Sequence, residues 1–123
     1  MRRSDFTKLT NTDLVQRFIE AAKRRGLAVL DLDARNASSM VLYMHAIDSV
    51  LRSRGIEARK ELLPLLDNKD RYVQYYAAKQ LLGIAPDRAR EIIESNHKHG
   101  FDAIAFDAGM TLFNLDTGVF KPD

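Results

Sequence analysis

Three histidines, a scatter of aspartates and no cysteine make up most of the reactive inventory of this chain. His45 and Asp48 stand three residues apart, a spacing that sets both side chains on one helix face, as a general base and its orienting carboxylate require. No nucleophile accompanies them, and Asp48 has a competing partner in Arg52 at i, i+4. His97 and His99 in "HKHG" are only two apart, which turns them to different sides of a helix and does not suit a shared metal. A cationic helix end interacting with the helix dipole accounts for them instead. Asp31 with Asp33, and Asp102 with Asp107, read as caps and solvated carboxylates rather than acid/base dyads. Gly26, Gly55, Gly100 and Gly118 each fall where a helix should end, and no GxGxxG, P-loop or GxSxG pattern occurs. Without cysteine, disulfides, thiolate nucleophiles and cysteine-ligated zinc are excluded. Neither enzyme activity nor a cofactor or metal is expected.

The elements that would position any site must come from 123 residues, a length that fits one domain with one modest core. A hydrophobic content of 46% beside 29% charged residues is that of a folding chain. The start, "MRRSDFTKLTNTD", is basic but has no apolar stretch behind it, and no later run reaches membrane-spanning length, so a cytoplasmic, non-membrane protein is expected. Residues 1 to 60 carry 12 Lys/Arg against 7 Asp/Glu, a net +5; residues 61 to 123 carry 7 against 10, a net −3; together they make the overall +2. Solvated surface charge explains this split better than a nucleic-acid footprint, which calls for basic residues gathered on one face.

A short tail, residues 1 to 9, precedes a helix opened by Thr10 and Asp13 as a capping box, with Leu14, Val15, Phe18, Ile19 and Ala22 at helical spacing. Gly26 either ends it or lets it continue with a kink through Leu27, Leu30 and Leu32. A second helix is predicted from about Arg35 to Arg54, burying Leu42, Ala46, Ile47, Val50 and Leu51, with Gly55 as its cap. A third ends at Leu66 and begins either near Arg59, placing Pro64 at its first turn, or at Ile56, in which case a kink follows. Asp67 to Asp70 supply turn and cap for a fourth, about Arg71 to Ile84, carrying Val73, Ala77, Leu81 and Ile84. The fifth follows Pro86 and ends at Gly100; the sixth runs from about Phe101 to Leu115, is closed by Gly118, and leaves a tail over 119 to 123 whose Phe120 folds back on the core. No segment alternates with period two between hairpin turns, so the chain reads as all-α.

An offset of 31 residues superposes the second, fourth and sixth helices. Leu42, Val73 and Ile104 align, then Ala46, Ala77 and Ala108; Ile47, Ala78 and Gly109; Val50, Leu81 and Leu112; Leu51, Leu82 and Phe113. The pattern predicts a stack of about three helical hairpins, each burying its apolar face on its neighbours. The stretch "LLPLLDNKDRYVQYYAAKQLLGIAP" resembles one HEAT repeat of the armadillo-type superfamily: a leucine-bearing helix, an aspartate-led turn, then Val, Ala-Ala and Leu on a second helix. Gln74 stands where that pattern usually has arginine. "DAGMTLFNLDTGVFKPD" is similar to the ending of a small bacterial family of unknown function assigned to the same superfamily, a resemblance extending from about Phe18 to Lys121. It implies a single helical-repeat domain over 1 to 123 and no particular activity.

The same offset carried to the flanking columns aligns Met44, Tyr75 and Phe106; His45, Tyr76 and Asp107; Asp48, Lys79 and Met110. With Tyr72 these form an aromatic and methionine ridge bordered by charge, of a kind that suits protein binding, unless Met44, Tyr75 and Phe106 pack under neighbouring segments. The expected function is therefore a non-enzymatic protein-interaction module, monomeric or homodimeric, one version being an immunity protein that masks a toxin. Nucleic-acid binding through Arg2, Arg3, Lys23, Arg24 and Arg25 is the alternative.

Overall fold

A computed structural model gives the structure of residues 3–123, with side-chain surroundings from Asp5 onward. All regular structure among them is helical: α1 Arg3–Phe6, α2 Asn11–Leu30, α3 Ala34–Arg54, α4 Ile56–Arg59, a 3₁₀ segment Lys60–Asp67, α5 Arg71–Gln80, α6 Pro86–Lys98 and α7 Ala103–Asp116. The chain divides into two compact units, Met1–Pro64 and Leu65–Asp123.

In the first unit α2 and α3 form the main hairpin. Thr10 caps α2 by accepting from the Asp13 amide at 3.1 Å, and Gly26 does not stop the helix, which continues to Leu30. The reversal is made at Leu32, whose φ of 58° is left-handed, an uncommon and strained state for a residue with a Cβ. Asp33 then caps α3 through the Asn36 amide at 3.1 Å. Arg54, in the last turn of α3, reaches back to Asn11 Oδ1 at 2.7 Å and the Leu9 carbonyl at 2.7 Å, fixing the hairpin's far end. Leu14, Phe18, Met44, Ile47 and Leu51 fill the core. Of the expected tail, residues 3 to 9 are not merely a tail. Phe6 is fully buried and meets the Tyr43 ring edge-on, centroids 5.0 Å apart, which ties α1 to α3. Leu42, expected inside, is instead 69% exposed, because the buried stripe of α3 runs through Met44, Ile47 and Leu51.

A helix does begin at Ile56, and past Arg59 it tightens to 3₁₀ with Pro64 inside, where proline's missing N–H weakens α-helical continuity.

The second unit is built from α5, α6 and α7. Asp70 caps α5 by accepting from the Tyr72 and Val73 amides at 2.9 and 3.1 Å, and Asn68 accepts from the Asp70 amide at 2.8 Å, so the polar turn between the leucine-rich segments is a helix start. Gln74, the departure from the HEAT pattern, donates to the Leu66 carbonyl at 2.7 Å. α5 stops at Gln80, short of Ile84, and Ala85, at φ −129° and ψ 65°, is out of the helical region ahead of Pro86, as a following proline favours. Arg71 binds Asn96 Oδ1 at 2.7 Å and pairs through both terminal nitrogens with Asp102, linking the start of α5 to α6 and to the cap of α7. That guanidinium, together with the Ala105 amide, holds the Asp102 carboxyl below the ordinary carboxylate range. Val73, Ala77, Leu81, Ile93, Ile104 and Ala108 form the core. Gly118, at φ 77°, turns the chain after α7, and the Phe120 amide donates to the Asn114 carbonyl at 3.0 Å. The tail folds back this far, but the Phe120 ring stays 38% exposed.

Candidate binding face

The ten residues expected to line a ridge part company. Met44, His45 and Asp48 lie on α3 in the first unit. Met44 is buried, which removes it from any surface, and so is Asp48, whose Oδ2 accepts from Arg52 Nε at 2.6 Å. The competing i, i+4 ion pair is thus the one formed. His45 alone of the three is exposed.

The other seven lie in the second unit, and five of them meet between α5 and α7. Tyr75 is fully buried and its hydroxyl donates to Asp107 Oδ2; Lys79 Nζ reaches the same oxygen at 2.9 Å. The ammonium also lies 5.9 Å from the Tyr75 ring centre and 5.8 Å from that of Tyr76. Tyr76 packs edge-on against Tyr75 at 5.3 Å and stacks with Tyr72 at 6.5 Å. Burial first, and the Asp107 hydrogen bond second, push the Tyr75 hydroxyl above the ordinary tyrosine range. A phenol held neutral against a carboxylate and an ammonium is an internal clasp between two helices. Tyr76, expected on the ridge, is a core residue instead, and for Tyr75 the alternative of packing under a neighbouring segment holds, its hydroxyl being covered by Asp107 of α7.

Phe106 and Met110 are the exceptions, 71% and 58% exposed. With Phe113, 66% exposed, they form a stripe at i, i+4 and i+7 along one face of α7. Phe113 belongs to a column expected to be buried, but no helix of its unit covers that side. Phe101, fully exposed ahead of α7, extends the stripe. The C-terminal turn of α6 forms the groove's wall: the His97 ring lies over Gly109, where an added Cβ would come within 2.9 Å of it, and its Nδ1 is 3.5 Å from the Ala105 carbonyl. The groove so formed has a volume of about 690 Å³, with His97 and Asn114 as its only polar side chains. Its signal was present in the sequence as the helical spacing of Phe106, Met110 and Phe113, but alignment to the other repeats assigned these residues to three different columns.

Of the basic residues considered for nucleic acid, Arg2 and the Arg3 side chain lie outside the described residues; Lys23 and Arg24 are exposed, and Arg25 donates to the Ala37 carbonyl at 2.7 Å. No group of three or more metal-ligating side chains gathers among the described residues, and none of their helices is long and apolar enough to cross a membrane.

A family model described as a domain of unknown function, DUF2019, matches residues 12–116. The crystal structure of the protein RPA1889 from Rhodopseudomonas palustris CGA009 is similar to this chain at a TM-score of 0.86 and 32% identity, over 95% of this chain and 97% of that one. No curated protein matches.

Proposed function

The chain belongs to the DUF2019 family, and on that premise we propose that it works by docking another protein on the apolar face of α6 and α7, performing no chemistry of its own. The observation that carries this reading is the exposed stripe of Phe101, Phe106, Met110 and Phe113. At about 200 Å² for each fully exposed large side chain, these four present roughly 600 Å² of apolar surface, at the upper end of what a monomer leaves uncovered. Aromatic and methionine side chains around a groove are the composition of binding hot spots. Burial of Val73 with Ile104, and of Ala77 with Ala108, 31 residues apart, supports a HEAT-like repeat beneath this face. An immunity-type role, in which the face masks a partner's active surface, is one form the function takes.

The test is retention of a stoichiometric partner by the tethered chain, compared with a Phe106→Ser/Phe113→Ser variant whose helical content is unchanged. Both substitutions fall on exposed positions, so the fold is expected to survive and the partner to be lost. A partner held equally well by the variant overturns the reading.

A further inference from the structure

We propose that the partner fitting the α6 and α7 face is a second copy of this chain, its α7 laid antiparallel on the first. The inference rests on the reading of this face as a docking surface and adds what docks there. The order of residues along the stripe carries it. Phe106, Gly109, Met110 and Phe113 are symmetric about their centre, an aromatic at each end and a Gly-Met pair between. A two-fold axis crossing the helix between Gly109 and Met110 therefore sets Phe106 of each copy against Phe113 of the other. Each Met110 then falls beside the other copy's Gly109, where the His97 ring lies. The unbranched, polarisable thioether is suited to pack against that imidazole. One self-complementary patch serves both sides, as two-fold interfaces require.

The polar groups obey the same symmetry. The axis maps Ala105 onto Asn114, and His97 sits at the Ala105 carbonyl, so the groove's two polar side chains come opposite one another. Covering roughly 600 Å² on each copy removes about 1,200 Å² in total, the lower edge of specific interfaces, which fits a dissociation constant on the order of micromolar.

Because the chain has no cysteine, single introduced thiols report the register without interference. Under mild oxidation Met110→Cys is expected to give a disulfide-linked dimer, since position 110 lies next to the axis, and Phe106→Cys mixed with Phe113→Cys to give the mixed dimer. Phe106→Cys alone should cross-link no faster than Leu30→Cys, an exposed position in the other unit. In sedimentation velocity the unmodified chain should show a concentration-dependent dimer, and Met110→Lys, which sets two ammonium groups against each other, should abolish it. A monomer at every concentration, or Phe106→Cys linking to itself as readily as Met110→Cys, overturns the proposal. If such a monomer still holds a different protein through Phe106 and Phe113, only the self-pairing fails; if its face holds nothing, the docking reading fails with it.

Discussion

Tyr75 shows how contacts from another helix decide between the surface and packed readings that its repeat column leaves open. Its ring is fully buried and its hydroxyl is bound to Asp107, while Lys79 neutralises the carboxylate from the other side. Removing the hydroxyl by Tyr75→Phe leaves Asp107 with Lys79 alone and is expected to cost about 1 to 2 kcal/mol at neutral pH, read by urea unfolding. The pH dependence follows from the raised pKa of the phenol. An unfolded tyrosine ionises near about pH 10, whereas Tyr75 in the folded chain does not, so above that pH the folded state binds more protons. The stability contributed by Tyr75 is therefore complete below about pH 10 and is lost as pH rises beyond it. Tyr75→Phe should show a shallower alkaline loss than the unmodified chain; identical alkaline slopes would contradict the buried, neutral phenol.

At the level of elements, what could be read from sequence was what short-range physics determines. The caps at Thr10, Asp33, Asp70 and Asp102 each accept from a backbone amide as their residue type and position dictate, and Pro86 opens α6. The less legible points depended on packing. Gly26 is tolerated inside α2, Leu42 faces out because Met44 and Ile47 set the buried stripe of α3, and the 3₁₀ form of Lys60–Asp67 is a compromise around Pro64. Gly109 combines both kinds of information, a small residue in an aligned column that lets the His97 ring cross α7. In a His97→Ala background, Gly109→Ala should gain about 1 kcal/mol from helix propensity, and with the ring present that gain should vanish or reverse. Equal effects in both backgrounds, measured by thermal unfolding, would contradict the close approach.

At the scale of the whole molecule, the all-α class was legible because no segment alternates with period two, and the matched structure shares the fold. The site was legible only in part. Phe106 and Met110 are exposed as a ridge requires, but Tyr75, Tyr76, Met44 and Asp48 were grouped with them by repeat columns that say which side of a helix a residue occupies and not whether another segment covers that side. Whether a side chain can meet a partner depends on exposure, and exposure is a property of the assembled unit. The account's central claim is that the uncovered face of α7 is where a protein binds, and its methionines supply the direct measurement. Met110 is 58% exposed and Met44 only 1%, so oxidative footprinting of the free chain should modify Met110 rapidly and leave Met44 nearly untouched. Once the partner is bound, whether another protein or a second copy, Met110 is predicted to become protected; a Met110 that stays as oxidisable in the complex as in the free chain would contradict the account.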